Sequence, residues 1–163
     1  MLKFKIDTYL KIVFLISLIS LISAYFIEYF LGYQPCNLCL IERIPYWLGI
    51  ILIILNYTFS KNEYFIILLL ILIFSFSLII SFYHFGIEQD FFEESAVCGF
   101  KNAIDITSKE ELLKQLQVKN ISCKDVTFRI FGFSLTAFNI SISLVLVCLL
   151  TKIFNNYEKF KKN

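Results

Sequence analysis

The sequence predicts an all-α integral membrane protein: a four-transmembrane-helix bundle with a long outer loop that carries a short amphipathic helix. Three observations predict it. Residues of the AVILMFWYC set make up 58% of 163 positions, mean hydropathy is +0.75, and charged residues are 17%, against about 25% in soluble domains. Four apolar stretches each reach the ~20 residues that a helix needs to cross ~30 Å of hydrocarbon. The alternation of a β-barrel is absent, and a helix satisfies its own backbone hydrogen bonds in lipid. This length has room for one compact unit, residues 1–163, and no second domain. A formal charge of +2 is too small and too dispersed to suggest nucleic acid as a partner.

The first stretch covers about residues 12–31. Lysines precede it, as they would a signal peptide. Its apolar run exceeds the roughly 7–15 residues of a signal core, however, and no small-residue cleavage site follows, so a retained anchor is expected. Glu28, near its outer end, is costly in lipid and is assigned no role. The second span covers about 42–59, the third about 64–85 and the fourth about 131–151. Four spans put both termini on one side of the membrane and the loops at about 32–43 and 87–131 on the other. The tails and the turn near Lys61 hold eight basic residues in about 27 positions, and the two loops hold seven in about 57. Basic residues concentrate on the cytoplasmic side, so the termini are expected there and the two loops outside.

The loop at 87–131 opens with acidic residues: Glu88, Asp90, Glu93 and Glu94. Ser108 and Glu111 have the spacing of a capping box at a helix start. Leu112, Leu113 and Leu116 follow on one face, which suits either the membrane surface or the tops of the spans. The Lys/Asn-rich tail is expected to fray in solvent.

The chemistry points to the cysteines. Cys148 falls inside the fourth span and reads as a small hydrophobe. Cys36 and Cys39 form a C-x-x-C pair at the start of the second span, a reversible two-electron switch where the chain enters lipid. A helix start favours a thiolate, and Arg43, four residues after Cys39, keeps its charge at any working pH. Cys39 is therefore the thiolate expected to gain most once the pair is reduced. Cys98 and Cys123 are expected to bond to each other across the acidic loop, although four cysteines allow three pairings. A disulfide outside the cytoplasm persists and, if exposed, is open to attack by an incoming thiolate. A four-cysteine zinc site is disfavoured, because such sites use two short knuckles and Cys98 has no near partner in sequence; no metal is expected.

Pro35-Cys36-Asn37-Leu38-Cys39-Leu40-Ile41-Glu42-Arg43 resembles the first-loop motif of the DsbB family, quinone-linked membrane proteins that generate disulfides. Tyr83-His84-Phe85-Gly86-Ile87-Glu88 is similar to the entry to the second outer loop in one branch of that family. Phe131-Gly132-Phe133-Ser134, with Asn139 after it, is similar to the start of the fourth span. The resemblance covers nearly the whole chain and departs at Phe128, where this branch has tryptophan. It implies a bacterial inner-membrane protein that re-oxidises a DsbA-like, thioredoxin-fold periplasmic partner and passes the electrons to a quinone, ubiquinone or menaquinone. By the same resemblance, Cys98 is attacked by the partner, Cys123 passes electrons on by attacking Cys36, and Cys39 leaves as the thiolate facing the quinone. Arg43 holds that thiolate and polarises the quinone, and His84 belongs near the same pocket. A DsbA-type partner has a potential near ~−120 mV, so its oxidant must be at least that strong. Two other readings stay open: a dedicated single-client thiol oxidase, and a scaffolding membrane subunit whose disulfides only stabilise a loop.

Overall fold

The computed structural model describes residues 2–58, 63–94, 98, 122–124, 128–130 and 132–162. The short helix expected around Ser108 to Leu116 lies outside these residues, as does Phe131. Among the described residues, four helices are long and apolar enough to cross a membrane, at Ile6–Phe30, Asn37–Thr58, Glu63–Glu88 and Leu135–Asn156. The protein is an all-α, multi-pass bundle.

Helix α1 spans Leu2–Tyr25 and ends in a wider π-helical turn, Phe26–Phe30. The second span has two parts, α2 (Asn37–Ile41) and α3 (Ile44–Thr58). Pro45 accounts for the break between them: it lacks an N–H for the Ile41 carbonyl, and its ring crowds that carbonyl. Helix α4 spans Glu63–Glu88. A two-residue hairpin follows, β1 (Arg129–Ile130) antiparallel to β2 (Phe133–Ser134), with Arg129 opposite Ser134. Helix α5 spans Leu135–Lys162. The fourth span therefore begins later than residue 131, because Gly132 at φ 86° turns the hairpin in the left-handed region that glycine tolerates.

Around the bundle, α1 packs on α3, α3 on α4, α4 most extensively on α5, and α5 back on α1. Each helix contributes one stripe at three- and four-residue spacing. On α1 the stripe is Ile6, Leu10, Val13, Ser17 and Leu21; on α4 it is Ile67, Leu70, Phe74, Ser77, Ser81 and His84. The opposite faces carry Ile19, Ile22, Phe76, Ile79 and Phe82, all exposed, as suits surfaces that meet lipid. Gly49 lets α3 approach α4, since a Cβ there would lie 2.9 Å from the Phe74 ring. Close approach of this kind drives helix association where lipid removes the hydrophobic contrast.

Candidate active site

Cys36 ends the extended segment before α2 and caps that helix. Its backbone is extended (φ −71°, ψ 169°), and its Sγ accepts the backbone N–H of Cys39 at 3.3 Å. One helical turn then sets the two sulfurs side by side, with Sγ atoms 2.8 Å apart and both thiols free. Cys98 is bonded to Cys123 across a sequence separation of 25. The two pairs are neighbours. Cys36, Leu38, Ile87 and Cys123 form a small buried core of their own, with Cys39, Tyr83 and Cys98 packed against it.

His84, the only histidine of the chain, comes up from the inward stripe of α4 and is 1% exposed. Its Nε2 lies 3.5 Å from Cys36 Sγ and its Nδ1 lies 3.0 Å from Glu42 Oε1. The carboxylate accepts the Nδ1–H, which leaves the Nε2 lone pair facing sulfur. Glu88, one turn further along α4, places Oε1 4.0 Å from Nε2. Thr136 on α5 donates its hydroxyl to that same Glu88 oxygen at 2.5 Å, while Glu88 Oε2 is buried without a partner among the described residues.

Glu42 is held in turn. Asn139 on α5 donates its amide to Glu42 Oε2 at 2.8 Å and to Ser81 Oγ at 2.7 Å. The Tyr46 hydroxyl donates to Asn139 Oδ1 and lies 3.3 Å from Ser143 Oγ, which is 3.2 Å from Ser77 Oγ. A continuous line of hydrogen bonds thus runs from the bundle centre to the cysteine pair. A buried carboxylate is expensive unless its oxygens are hydrogen-bonded, and here both are.

Arg43 stands at the break between α2 and α3. It donates to Glu28 of the π-helical turn, and its guanidinium sits 4.9 Å over the Tyr25 ring. The sequence reading singled out Cys39 as the better-stabilised thiolate through Arg43. In the structure, the hydrogen bonds gather around Cys36, and Arg43 bonds Glu28. Cys36 lies outside the spanning helix, and its thiol is pulled below the ordinary thiol range by its hydrogen bond with Cys39, with His84 adding to this against the cost of burial.

A cavity of about 340 Å³ joins these groups. Cys36, Cys39, Cys123, Arg43 and His84 line its polar end, and Ile19, Ile27, Phe138 and Ile142 line its apolar side. Phe128, the departure from the family pattern, also lines it and tilts against Tyr33 with ring centroids 4.9 Å apart. Cys148 lies on the exposed face of α5, away from the cavity.

The family model described as disulfide bond formation protein DsbB matches residues 7–153. The chain belongs to the DsbB family. It is 36% identical over 139 residues to "Uncharacterized protein RP370" of Rickettsia prowazekii (strain Madrid E), a match that covers 83% of this chain and 80% of that protein. No solved structure matches the chain significantly. As a DsbB family member it is a membrane disulfide oxidoreductase by family. The sequence reading assigned nothing to three residues that this site employs, Glu28, Glu42 and Asn139. All three stood inside motifs or spans as costly or polar residues, but their partners lie 15 to 97 positions away.

Proposed function

We propose that this protein re-oxidises a DsbA-like, thioredoxin-fold dithiol protein on the outer face of a bacterial inner membrane and passes the electrons to a membrane quinone. The observation that carries the reading is the shared cavity, in which a free C-x-x-C pair and one sulfur of a second disulfide line a polar end that continues into an apolar wall. With cytoplasmic termini, both cysteine loops face the periplasm, where the partner is met.

The partner's thiolate attacks Cys98 and releases Cys123. In the oxidised form of the C-x-x-C pair, Cys123 then attacks Cys36, a Cys123–Cys36 bond forms as the Cys36–Cys39 bond breaks, and Cys39 leaves as the thiolate; the free pair of this structure is the reduced form. The packing of Cys123 with Cys36 in one small core supports that second exchange. A quinone, when bound, supplies the two-electron acceptor. The donor set fits such a group: Arg43 offers a fixed positive charge and N–H groups to a carbonyl oxygen, and Ile19, Ile27 and Phe138 offer an apolar wall to an isoprenoid tail. Glu28 and the Tyr25 ring hold the guanidinium in place. Without such anchors an arginine at this depth would snorkel toward the headgroups.

The test mixes purified protein in detergent with a reduced thioredoxin-fold dithiol protein and either ubiquinone or menaquinone, and follows thiol loss. Catalytic thiol loss that needs both quinone and the four loop cysteines is expected. Normal turnover by the Cys39→Ser form would remove Cys39 from the electron path. No thiol loss with either quinone would sink the reading.

A further inference from the structure

A thiol pair closes into a disulfide only when its sulfurs shed their protons, and among the described residues the proton of Cys36 has one basic nitrogen within hydrogen-bonding reach. His84 Nε2 lies 3.5 Å from Cys36 Sγ. The ring is fixed from behind by Glu42 Oε1, 3.0 Å from Nδ1, and Glu42 is itself fixed by the Asn139 amide. On the sulfur side, Glu88 stands 4.0 Å from Nε2, with its other oxygen buried and unpartnered among the described residues. This is a thiol, an imidazole and a carboxylate in line, the order that activates a nucleophile on unrelated folds.

We infer that His84 is the base for Cys36, with Glu42 and Glu88 as positioning residues that hold the resulting imidazolium between two carboxylates. The inference deepens the oxidoreductase reading and takes its purpose from it, but the proton transfer itself needs neither quinone nor partner. The S–H bond of Cys36 breaks, an N–H bond forms at His84 Nε2, and the electron pair stays on sulfur; nothing is oxidised. The reverse transfer returns the proton when Cys36 becomes a thiol again. His84 thus serves the sulfur rather than the acceptor. The Asn139 and Tyr46 bonds extend this support into the bundle, so the ring is aimed by three helices.

Titratable or charged groups face this pair from every neighbouring element except α5. They are Cys39 on α2, Glu42 at its end, Tyr46 on α3, Glu88 on α4 and the Arg43–Glu28 pair beside α1. From α5 come Thr136 and Asn139, which do not titrate.

The experiment uses the full chain in detergent without quinone, carrying Cys39→Ser and Cys148→Ala, with the Cys98–Cys123 bond intact. Cys36 is then the one thiol that iodoacetamide can label, and its alkylation rate is followed against pH by mass spectrometry. The inflection is expected below the ~8.5 of an ordinary thiol, because His84 and the backbone N–H of residue 39 still face Cys36 Sγ when Cys39→Ser removes the neighbouring thiol. Adding His84→Gln is expected to raise it by about two units or more, a fall of roughly 100-fold in thiolate where the group titrates. Adding Glu42→Gln is expected to raise it by about one unit, or roughly tenfold. An inflection that His84→Gln leaves in place overturns the proposal. If the His84→Gln protein fails to elute as a single species, Glu42→Gln and Glu88→Gln carry the test, and an inflection unmoved in both overturns it. A negative result here leaves quinone-dependent thiol oxidation standing, and failure of that oxidation leaves this pH profile unchanged, so the two readings fail separately.

Discussion

The bundle has two halves made from the same four helices, and they are held together differently. Along the inward stripe of α4, Ile67, Leu70 and Phe74 give way to Ser77, Ser81 and His84 with no change of face. Helix α5 runs the opposite sequence, Thr136 and Ser143 giving way to Leu146, Leu150 and Ile153. One half is therefore an apolar core that also includes Val13 and Ile53. The other half is a hydrogen-bonded line that ends on two thiols. The difference teaches where a membrane protein places its polar groups: lipid cannot satisfy them, so they pair inside the bundle. The apolar half supplies the rigid frame, and the polar half positions atoms.

The largest effect separates the halves by chemistry. Cys123→Ala is expected to abolish thiol transfer from the partner to Cys36, measured as loss of partner oxidation, while the apolar half keeps its thermal stability. Next comes Arg43→Met, which removes a fixed charge from the cavity end. Removing one preorganised donor at a reacting centre costs about 10²–10³ in rate, and a loss of that order in quinone-dependent turnover is expected. Arg43→Lys is expected to restore only part of it, because a lysine cannot keep the planar contacts with both Glu28 and the Tyr25 ring. Full activity in Arg43→Met would confine Arg43 to anchoring the span.

Much of this division stood in the sequence, yet only part of it was legible. The four spans were plain because hydropathy over ~20 residues is a long-range average that single substitutions do not disturb. The cysteine motif was plain because its chemistry is local to four residues. The polar line was not. Ser77 and Ser81 sit in α4, whose outward face is as apolar as its inward one, so no amphipathic contrast marks the inward face. Glu28 read as an isolated cost because its partner Arg43 belongs to another span. Glu42 was quoted as part of a motif, but its bonds to His84 and Asn139 cross to α4 and α5. A buried carboxylate in a span always asks for a partner, and following that demand from Glu42 leads to the only histidine.

The comparison is sharpened by substitutions in the frame. Phe74 is fully buried and touches both Tyr46 and the space above Gly49. Phe74→Ala is expected to cost about 3–5 kcal/mol of stability, read as earlier unfolding in denaturant, with Cys36 alkylation little changed in the protein that remains folded. Asn139→Ala has the reverse profile. It strips partners from Glu42 and Tyr46, worth about 1–3 kcal/mol for groups left unsatisfied, and it is expected to slow Cys36 alkylation because the His84 ring loses its backing. Equal effects of the two substitutions on stability and on thiol reactivity would mean that the halves are not separate devices.

The smallest effect belongs to Cys148. It is a free thiol like Cys36 and Cys39, but it lies on the exposed face of α5, where lipid is the neighbour expected of a spanning helix. Cys148→Ala is expected to change stability by no more than ~0.5 kcal/mol and to leave partner oxidation intact. The measurement is informative because chemical identity is held constant across three free thiols while the surroundings differ. A loss of activity in Cys148→Ala would assign that face of α5 to a protein contact instead of lipid, and the outward surface of the apolar half would then need a second element to cover it.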